Sequence, residues 1–139
     1  MNAVKTLILY YSYTGHTKKI AESLPAMEGA KIIEIKAIKR PNVLVAYTAG
    51  CYAAMRAKSW PIQALEADLS EYDHLILLAP VWANNPAPFF NAVLERLPAG
   101  KTVSVKMIAA SGKSNCKERI EATIKEKGCA LVSFEDIKA

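Results

Sequence analysis

The residues closest to chemistry lie in one short stretch, Ser12-Tyr13-Thr14-Gly15-His16-Thr17. It joins the apolar run Leu7-Ile8-Leu9-Tyr10-Tyr11 to the amphipathic segment Lys18-Lys19-Ile20-Ala21-Glu22-Ser23-Leu24. A strand, a hydroxyl-rich turn and a helix start, in that order, make an anion cradle. The unpaired N–H groups of the first helical turn and the positive end of the helix dipole converge there. Ser12, Thr14 and Thr17 add hydroxyl donors, and the loop itself contains no lysine or arginine. It offers hydrogen bonds without a compensating charge, which suits a phosphate monoester better than a triphosphate with its metal ion. The competing account is a capped helix start, with Ser12 or Thr14 satisfying the orphan N–H groups.

Other reactive constellations are sparse. No metal-ligand set, nucleophile–His–carboxylate group or convergent carboxylate pair can be read in the chain, and its two histidines fall at a helix start (His16) and a strand entrance (His74). Gly112-Lys113-Ser114 invites a nucleotide-binding reading, but that motif needs a glycine five residues before Gly112. Met107 stands there, inside a predicted strand. Cys51, Cys116 and Cys129 are widely spaced and form no Cys-x-x-Cys pair. They read as reduced structural thiols of a cytoplasmic protein, with redox sensing by Cys116 as the alternative.

The elements that must position these residues alternate strand and helix from end to end. That predicts one α/β domain over residues 1–139 with a parallel sheet. Strands are expected at about 4–11, 32–35, 74–79, 103–110 and 130–135, with Pro80 closing the third. Helices are expected at about 16–24, ended by Pro25; through Cys51-Tyr52-Ala53-Ala54-Met55; from Pro86 and Pro88 to Leu97; and at about 115–127, with Gly128 as C-cap. Phe89, Phe90, Val93, Leu94 and Leu97 mark a strongly buried face. In the fourth strand Val103, Val105 and Met107 alternate with Ser104 and Lys106, whereas a strand covered on both faces reads as continuously apolar. One sheet face there is therefore wetter than usual or is covered by a second subunit.

Composition narrows the class. A chain of 139 residues can bury a core without disulfides, and no stretch approaches the roughly 20 apolar residues of a membrane span. Met1-Asn2-Ala3-Val4-Lys5 leads straight into a strand, with no signal-peptide anatomy. The formal charge is +5, but the lysines are scattered rather than interleaved with aromatics, which argues against a nucleic-acid partner. A basic surface would steer an acidic protein or an anionic small molecule toward it.

Ser-x-Thr-Gly-x-Thr after a first strand resembles the FMN-phosphate loop of flavodoxin-like proteins. The stretch Leu77-Leu78-Ala79-Pro80-Val81-Trp82-Ala83-Asn84-Asn85-Pro86-Ala87-Pro88 is similar to that family's second flavin loop. The resemblance covers the chain from the first strand to the fifth. It implies a doubly wound five-stranded parallel sheet of order 2-1-3-4-5, with the cofactor between strands 1 and 3. The family's fifth helix is missing, which leaves one sheet face bare and suggests a homodimer there. The resemblance assigns the phosphate to Ser12, Tyr13, Thr14, Gly15, His16 and Thr17. It assigns the isoalloxazine to Pro80, Val81, Trp82, Ala83, Asn84 and Asn85, with Trp82 stacking on or bordering the ring. A third loop, Ala110-Ser111-Gly112-Lys113-Ser114-Asn115, would reach the pyrimidine edge through Ser111 and Gly112. The alternatives are a core Trp82 and an N-cap role for Ser114 or Asn115. Tyr13 would edge the flavin or be an exposed loop aromatic. Tyr47 and Tyr52 would approach the dimethylbenzene edge or pack along a helix.

The chain departs from the family pattern at Leu78 and Ala79, where Gly and Thr or Ser are common, and at Asn84, where the turn often has Gly. A lost hydroxyl at Ala79 would cost about 0.5–1.5 kcal/mol of binding. Three functions follow from the resemblance. The first is an FMN-dependent electron carrier for a redox partner protein. The second is an NAD(P)H-dependent flavin or quinone reductase with a small-molecule acceptor. The third is an interaction domain of the same fold with weak or no flavin binding.

Overall fold

The sequence folds as a twisted parallel sheet with helices on both faces, in a computed structural model that describes residues 5–24 and 30–139. The elements run β1 (Thr6–Tyr10), α1 (His16–Ser23), β2 (Lys31–Glu34), α2 (Val43–Val45), a π-helical turn (Ala46–Gly50) and α3 (Cys51–Met55). They continue through a 3-10 turn (Leu69–Glu71), β3 (His74–Trp82), β4 (Asn85–Pro86), α4 (Pro88–Leu94), β5 (Thr102–Ala109), α5 (Lys117–Glu126) and β6 (Ala130–Lys138). The sheet order is β2-β1-β3-β5-β6, all parallel, and β4 folds back antiparallel on β3. Without β4, which the periodicity does not reveal, this is the predicted order 2-1-3-4-5.

Period-2 alternation divides the core between the two sheet faces. Leu7, Leu9, Leu75, Leu77, Val103, Val105 and Met107 pack with Phe89, Phe90, Ile120 and Ile124 of α4 and α5. On the other face Ile8, Tyr10, Ile76, Leu78 and Ile108 meet Ala21, with Ile20 and Leu24 packed at its margin. Every residue of α4 is buried, and Pro88 sits in its first turn, where its missing N–H costs no hydrogen bond.

The α1 face turns polar beyond β3, as the pattern of the fourth strand predicts. His74 Nδ1 lies 2.7 Å from Thr102 Oγ1, and its Nε2 lies 3.1 Å from Ser104 Oγ. Next to them Lys106 donates to Glu135 at 3.2 Å. A histidine, two hydroxyls and an ion pair thus stand where a fully covered sheet would be apolar. β6 carries no buried residue, and it takes a bulge where Val103 and Ser104 face Leu131 and Ser133.

Several boundaries differ from expectation, each with a local cause. β3 does not stop at Pro80 but runs on to Trp82. Its β1 side is last used at Leu78, whose carbonyl accepts from Tyr11 N–H, so the N–H that proline lacks has no partner to lose. The second helical region starts at Val43 rather than near Cys51, because the Asn42 side chain caps it by accepting from Val45 N–H at 2.8 Å. β6 extends to Lys138, beyond the expected end near 135. Val4 and Pro25, expected as a strand start and a helix stop, lie outside the described residues. Among the described residues, no helix is long and apolar enough to cross a membrane.

Candidate functional site

β1, β3 and β5 are neighbours, so the loops that leave their C-terminal ends share one edge of the sheet. The first loop closes on itself. Ser12 Oγ accepts from Gly15 N–H at 3.0 Å, and Gly15 takes a left-handed φ of 99°, where a side chain would be strained. Gly15 is the N-cap of α1, and no side chain caps that helix. Ser12 thus satisfies one orphan N–H, that of the N-cap residue, as the capped-start account expects, while the N–H groups inside the first turn have no side-chain cap. Thr14 Oγ1 reaches only His16 Nδ1, at 3.4 Å. Thr17 is buried, Ser12, Tyr13 and Gly15 are half-buried, and Thr14 and His16 are exposed. What remains is a helix N-terminus ringed by hydroxyls, with no lysine or arginine in the loop.

The second loop supplies an aromatic wall. Trp82, half-buried at the end of β3, meets Tyr13 edge-to-face at 5.7 Å and 89°, and Tyr11 at 6.3 Å and 81°. Tyr11 in turn stacks against Phe89 at 4.6 Å, and Phe89 meets Trp60 at 5.5 Å. Burial pushes the Tyr11 phenol up to about 12, with Arg40 opposing, so it stays a neutral packing group. Tyr13 is held from outside. Its hydroxyl donates to Pro41 O at 2.8 Å, and the Arg40 guanidinium lies 4.1 Å over its ring while donating to Tyr13 O at 3.1 Å. Trp82 and Tyr13, with Val43, Ala46, Tyr47 and Cys51, line an open apolar cavity of about 160 Å³. That is smaller than the roughly 300–1,000 Å³ of most ligand sites.

Two residues with positive φ, Ala83 (51°) and Asn84 (65°), turn β3 into β4, as a tight two-residue hairpin requires. The sequence anticipates this at Asn84 but not at Ala83. Asn85 Nδ2 donates to Ala83 O at 3.0 Å, while its Oδ1 accepts from Arg119 Nε at 3.3 Å and Nη2 at 3.1 Å. Arg119 on α5 therefore braces the turn, and nothing in the sequence singles it out. Pro80 and Val81 are half-buried strand residues rather than loop residues. Leu78 and Ala79 are fully buried in β3.

The third loop is less engaged. Ser111 makes only local bonds with Lys113, and a Cβ at Gly112 (φ 81°) would point at Lys138 on β6. Ser114 is fully buried and donates to Asp136 at 2.5 Å, so it ties the loop to β6 and caps nothing. Asn115 takes a φ of 61°, and α5 starts after Cys116 with no side-chain cap. The N-cap alternative fails for both residues. Burial raises the Cys116 thiol, against the pull of Ser114 and Arg119, which makes it a poor redox sensor. Met107 is fully buried in β5, consistent with setting the nucleotide-loop reading aside.

Two further residues shape the site. A Cβ at Gly50 would lie 2.8 Å from Trp82 Cζ3 and 3.3 Å from Trp60 Cη2, so this glycine lets both indoles approach the π-helical turn. A lone glycine in a helical stretch is the signal that could have pointed to it. Tyr47 and Tyr52 are 79% and 55% exposed; Tyr52 packs along the helix against Arg56, and Tyr47 borders the cavity. Among the described residues, no cluster of His, Cys, Asp and Glu could hold a metal ion.

No protein-family model matches this sequence, and no curated protein resembles it at a significant level. Solved structures do. The flavoprotein from Lactobacillus acidophilus NCFM in complex with FMN is 24% identical and has a TM-score of 0.76, over 95% of this chain and 92% of that one. The apo form of a flavoprotein from the same organism is 25% identical at a TM-score of 0.66, over 98% and 95%. Oxidised flavodoxin 1 from Bacillus cereus is 18% identical at 0.56, over 97% and 86%. Strand order, helix placement and these likenesses agree that the chain has the flavodoxin-like fold.

Proposed function

We propose that this protein binds FMN across the C-terminal edge of β1 and β3 and acts in electron transfer. The observation that carries the reading is the N-terminus of α1, whose first turn has no side-chain cap, with left-handed Gly15 in the loop whose Tyr13 meets Trp82. A similar structure is described in complex with FMN. At the phosphate end the residues fit as they stand. Backbone N–H groups of the first turn of α1, with the Ser12 and Thr14 hydroxyls, would hold the phosphate, and Thr17 would support the turn from beneath. At the ring end they fit in chemistry but not in space. The wall is aromatic and apolar, yet Tyr13 and Trp82 meet edge-to-face where a flat ring would need room. A flat ring would need this pair to part, and Tyr13 is also tied to Arg40 and Pro41. FMN supplies one- or two-electron chemistry when bound. The chain's own part is to hold it, exclude water from the Trp82 side and present the 83–84 turn, braced by Arg119.

Titration of the purified protein, followed by flavin fluorescence, tests this. Submicromolar quenching is expected with FMN and much weaker quenching with riboflavin, which lacks the phosphate. Thr14→Glu, which sets a carboxylate on the exposed rim of the cradle, should weaken FMN at least tenfold and leave apo stability unchanged. A dissociation constant above about 100 μM, roughly −5.5 kcal/mol, would instead support an interaction domain.

A second reading, an NAD(P)H-dependent reductase, is favoured by one feature. An apolar cavity of about 460 Å³, bordered by Trp60, Phe89 and Val45, has Lys39 and Arg40 on its rim. Arg40 also touches Tyr13, so this cavity adjoins the candidate flavin wall. Steady oxidation of NADPH with FMN and a quinone present would decide for reductase over carrier.

A further inference from the structure

The helical run from Val43 to Met55 is built inside out. Its inward positions are small: Ala46, Gly50, Ala53 and Ala54 are buried. Its outward positions are large and apolar: Val43 and Leu44 are each 72% exposed, Tyr47 79%, Tyr52 55% and Met55 61%. Recurring at i, i+1, i+4, i+9 and i+12, they form one stripe on the solvent side, where an ordinary amphipathic helix is polar.

The charge around this stripe is equally one-sided. Between Glu34 and Glu66 the chain carries Lys36, Lys39, Arg40, Arg56 and Lys58 and not one carboxylate. The other 13 lysines and arginines match the 13 aspartates and glutamates, so the whole formal charge of +5 resides in this connection. The lysines by themselves are scattered along the chain; the asymmetry comes from the absence of carboxylates between Glu34 and Glu66. Lys36 pairs with Glu66 at 3.8 Å at the far end. Lys39 and Arg40 precede the stripe, Arg56 and Lys58 follow it, and all four are exposed.

We propose that the outward stripe of the 43–55 run, with its flanking cations, is the docking surface for an acidic protein. Charge complementarity selects that occupant. A second copy would bring two sets of four cations together with no carboxylate between them. The stripe also has the composition of a protein contact, two tyrosines and a methionine with arginine beside them. Arg56 already lies over the Tyr52 ring at 5.4 Å, which pre-orders one such contact. Because Val43 and Tyr47 border the cavity shared with Tyr13 and Trp82, a docked protein would cover that edge of the candidate flavin site. The surface rests on exposure and charge. Only its relation to a cofactor rests on the FMN reading.

The test uses the full chain, isotope-labelled and without added FMN, titrated with a plant-type ferredoxin as acidic probe and cytochrome c as basic probe. Ferredoxin should shift amide signals of residues 38–58. Its affinity should fall at least tenfold between about 50 mM and about 300 mM salt, as screening of exposed charges requires. Tyr47→Ser with Tyr52→Ser, and separately Arg56→Glu with Lys58→Glu, should each weaken it about tenfold. All four sites are exposed, so these variants should fold, and unchanged signals from core amides will show it. The proposal is overturned by no ferredoxin binding, by shifts mapping elsewhere, by equal binding of cytochrome c, or by charge-reversed variants that bind as well as the parent. Self-association abolished by Tyr47→Ser would make the occupant a second copy. Sedimentation with phosphatidylserine–phosphatidylcholine vesicles, lost in the same variant, would make it a membrane. FMN titration of the same samples reports on the cofactor separately, so either reading can fail while the other stands.

Discussion

Ala83 and Arg119 carry more of the second loop than their types suggest. A non-glycine residue in the left-handed region costs about 1–2 kcal/mol, and Ala83 has no polar side chain to offset it. Ala83→Gly is therefore expected to raise stability by up to about 1 kcal/mol, after the added freedom of the unfolded chain is counted. Denaturant midpoints of the two proteins check this. Arg119→Gln removes the donors that hold Asn85 Oδ1. It should cost about 1 kcal/mol of stability and weaken FMN several-fold, because the 83–84 turn loses its brace. An unaltered flavin titration would show that the turn holds its shape without α5. Gly50→Ala should move Trp82 and Trp60 off the helix, since 2.8 Å leaves no room for a methyl group. A change in indole emission without loss of far-ultraviolet helix signal is the expected result.

Among the elements, β3 and β5 form a polar patch around His74 that predicts a dependence of stability on pH. Burial holds the His74 imidazole below its ordinary value of 6.5, and the bond to Thr102 opposes that only in part. The unfolded chain then takes up this proton more readily than the folded one, so stability rises with pH across the interval. The contribution is complete above about pH 6.5 and is lost as pH falls through 6.5 toward the folded value. Urea midpoints at about pH 5 and about pH 7.5 should differ for the parent and converge for His74→Gln. Asn42 makes the second element-scale prediction. Asn42→Ala removes the only side-chain cap of the 43–55 run and should cost about 1 kcal/mol, freeing α2 first. Faster amide exchange confined to residues 43–50 would show it.

For the molecule as a whole, the strongly periodic parts were legible and the sites of close approach were not. Leu75–Ala79 reads as a central strand because it is continuously apolar, and Phe89–Leu97 as a buried helix because its apolar residues follow a period of 3.6. The structure buries the strand whole and ends the helix at Leu94, with Leu97 still in the core. Ser104 and Lys106 likewise announced a polar sheet face. The hydroxyl loop 12–17 was visible because strand, glycine turn and helix are contiguous in sequence. The Arg119–Asn85 brace, the Gly50–Trp82 contact and the Arg40 clamp on Tyr13 were not. Each joins residues at least 27 positions apart, and pairing at such distances depends on how the sheet twists and the helices settle. The outward placing of Tyr47 and Tyr52 was hidden for a related reason. Apolar residues at helical spacing identify a face but not which side of it meets the core, and here the small residues won the inner side because Trp82 and Trp60 already filled the space. Local pattern and composition thus settled the fold class, the hydroxyl-rich helix start of the first loop and the charge of the connection, since those depend on near neighbours. Closure of the aromatic wall, the brace on the turn and the outward apolar stripe were settled by packing, in which distant side chains compete for one volume.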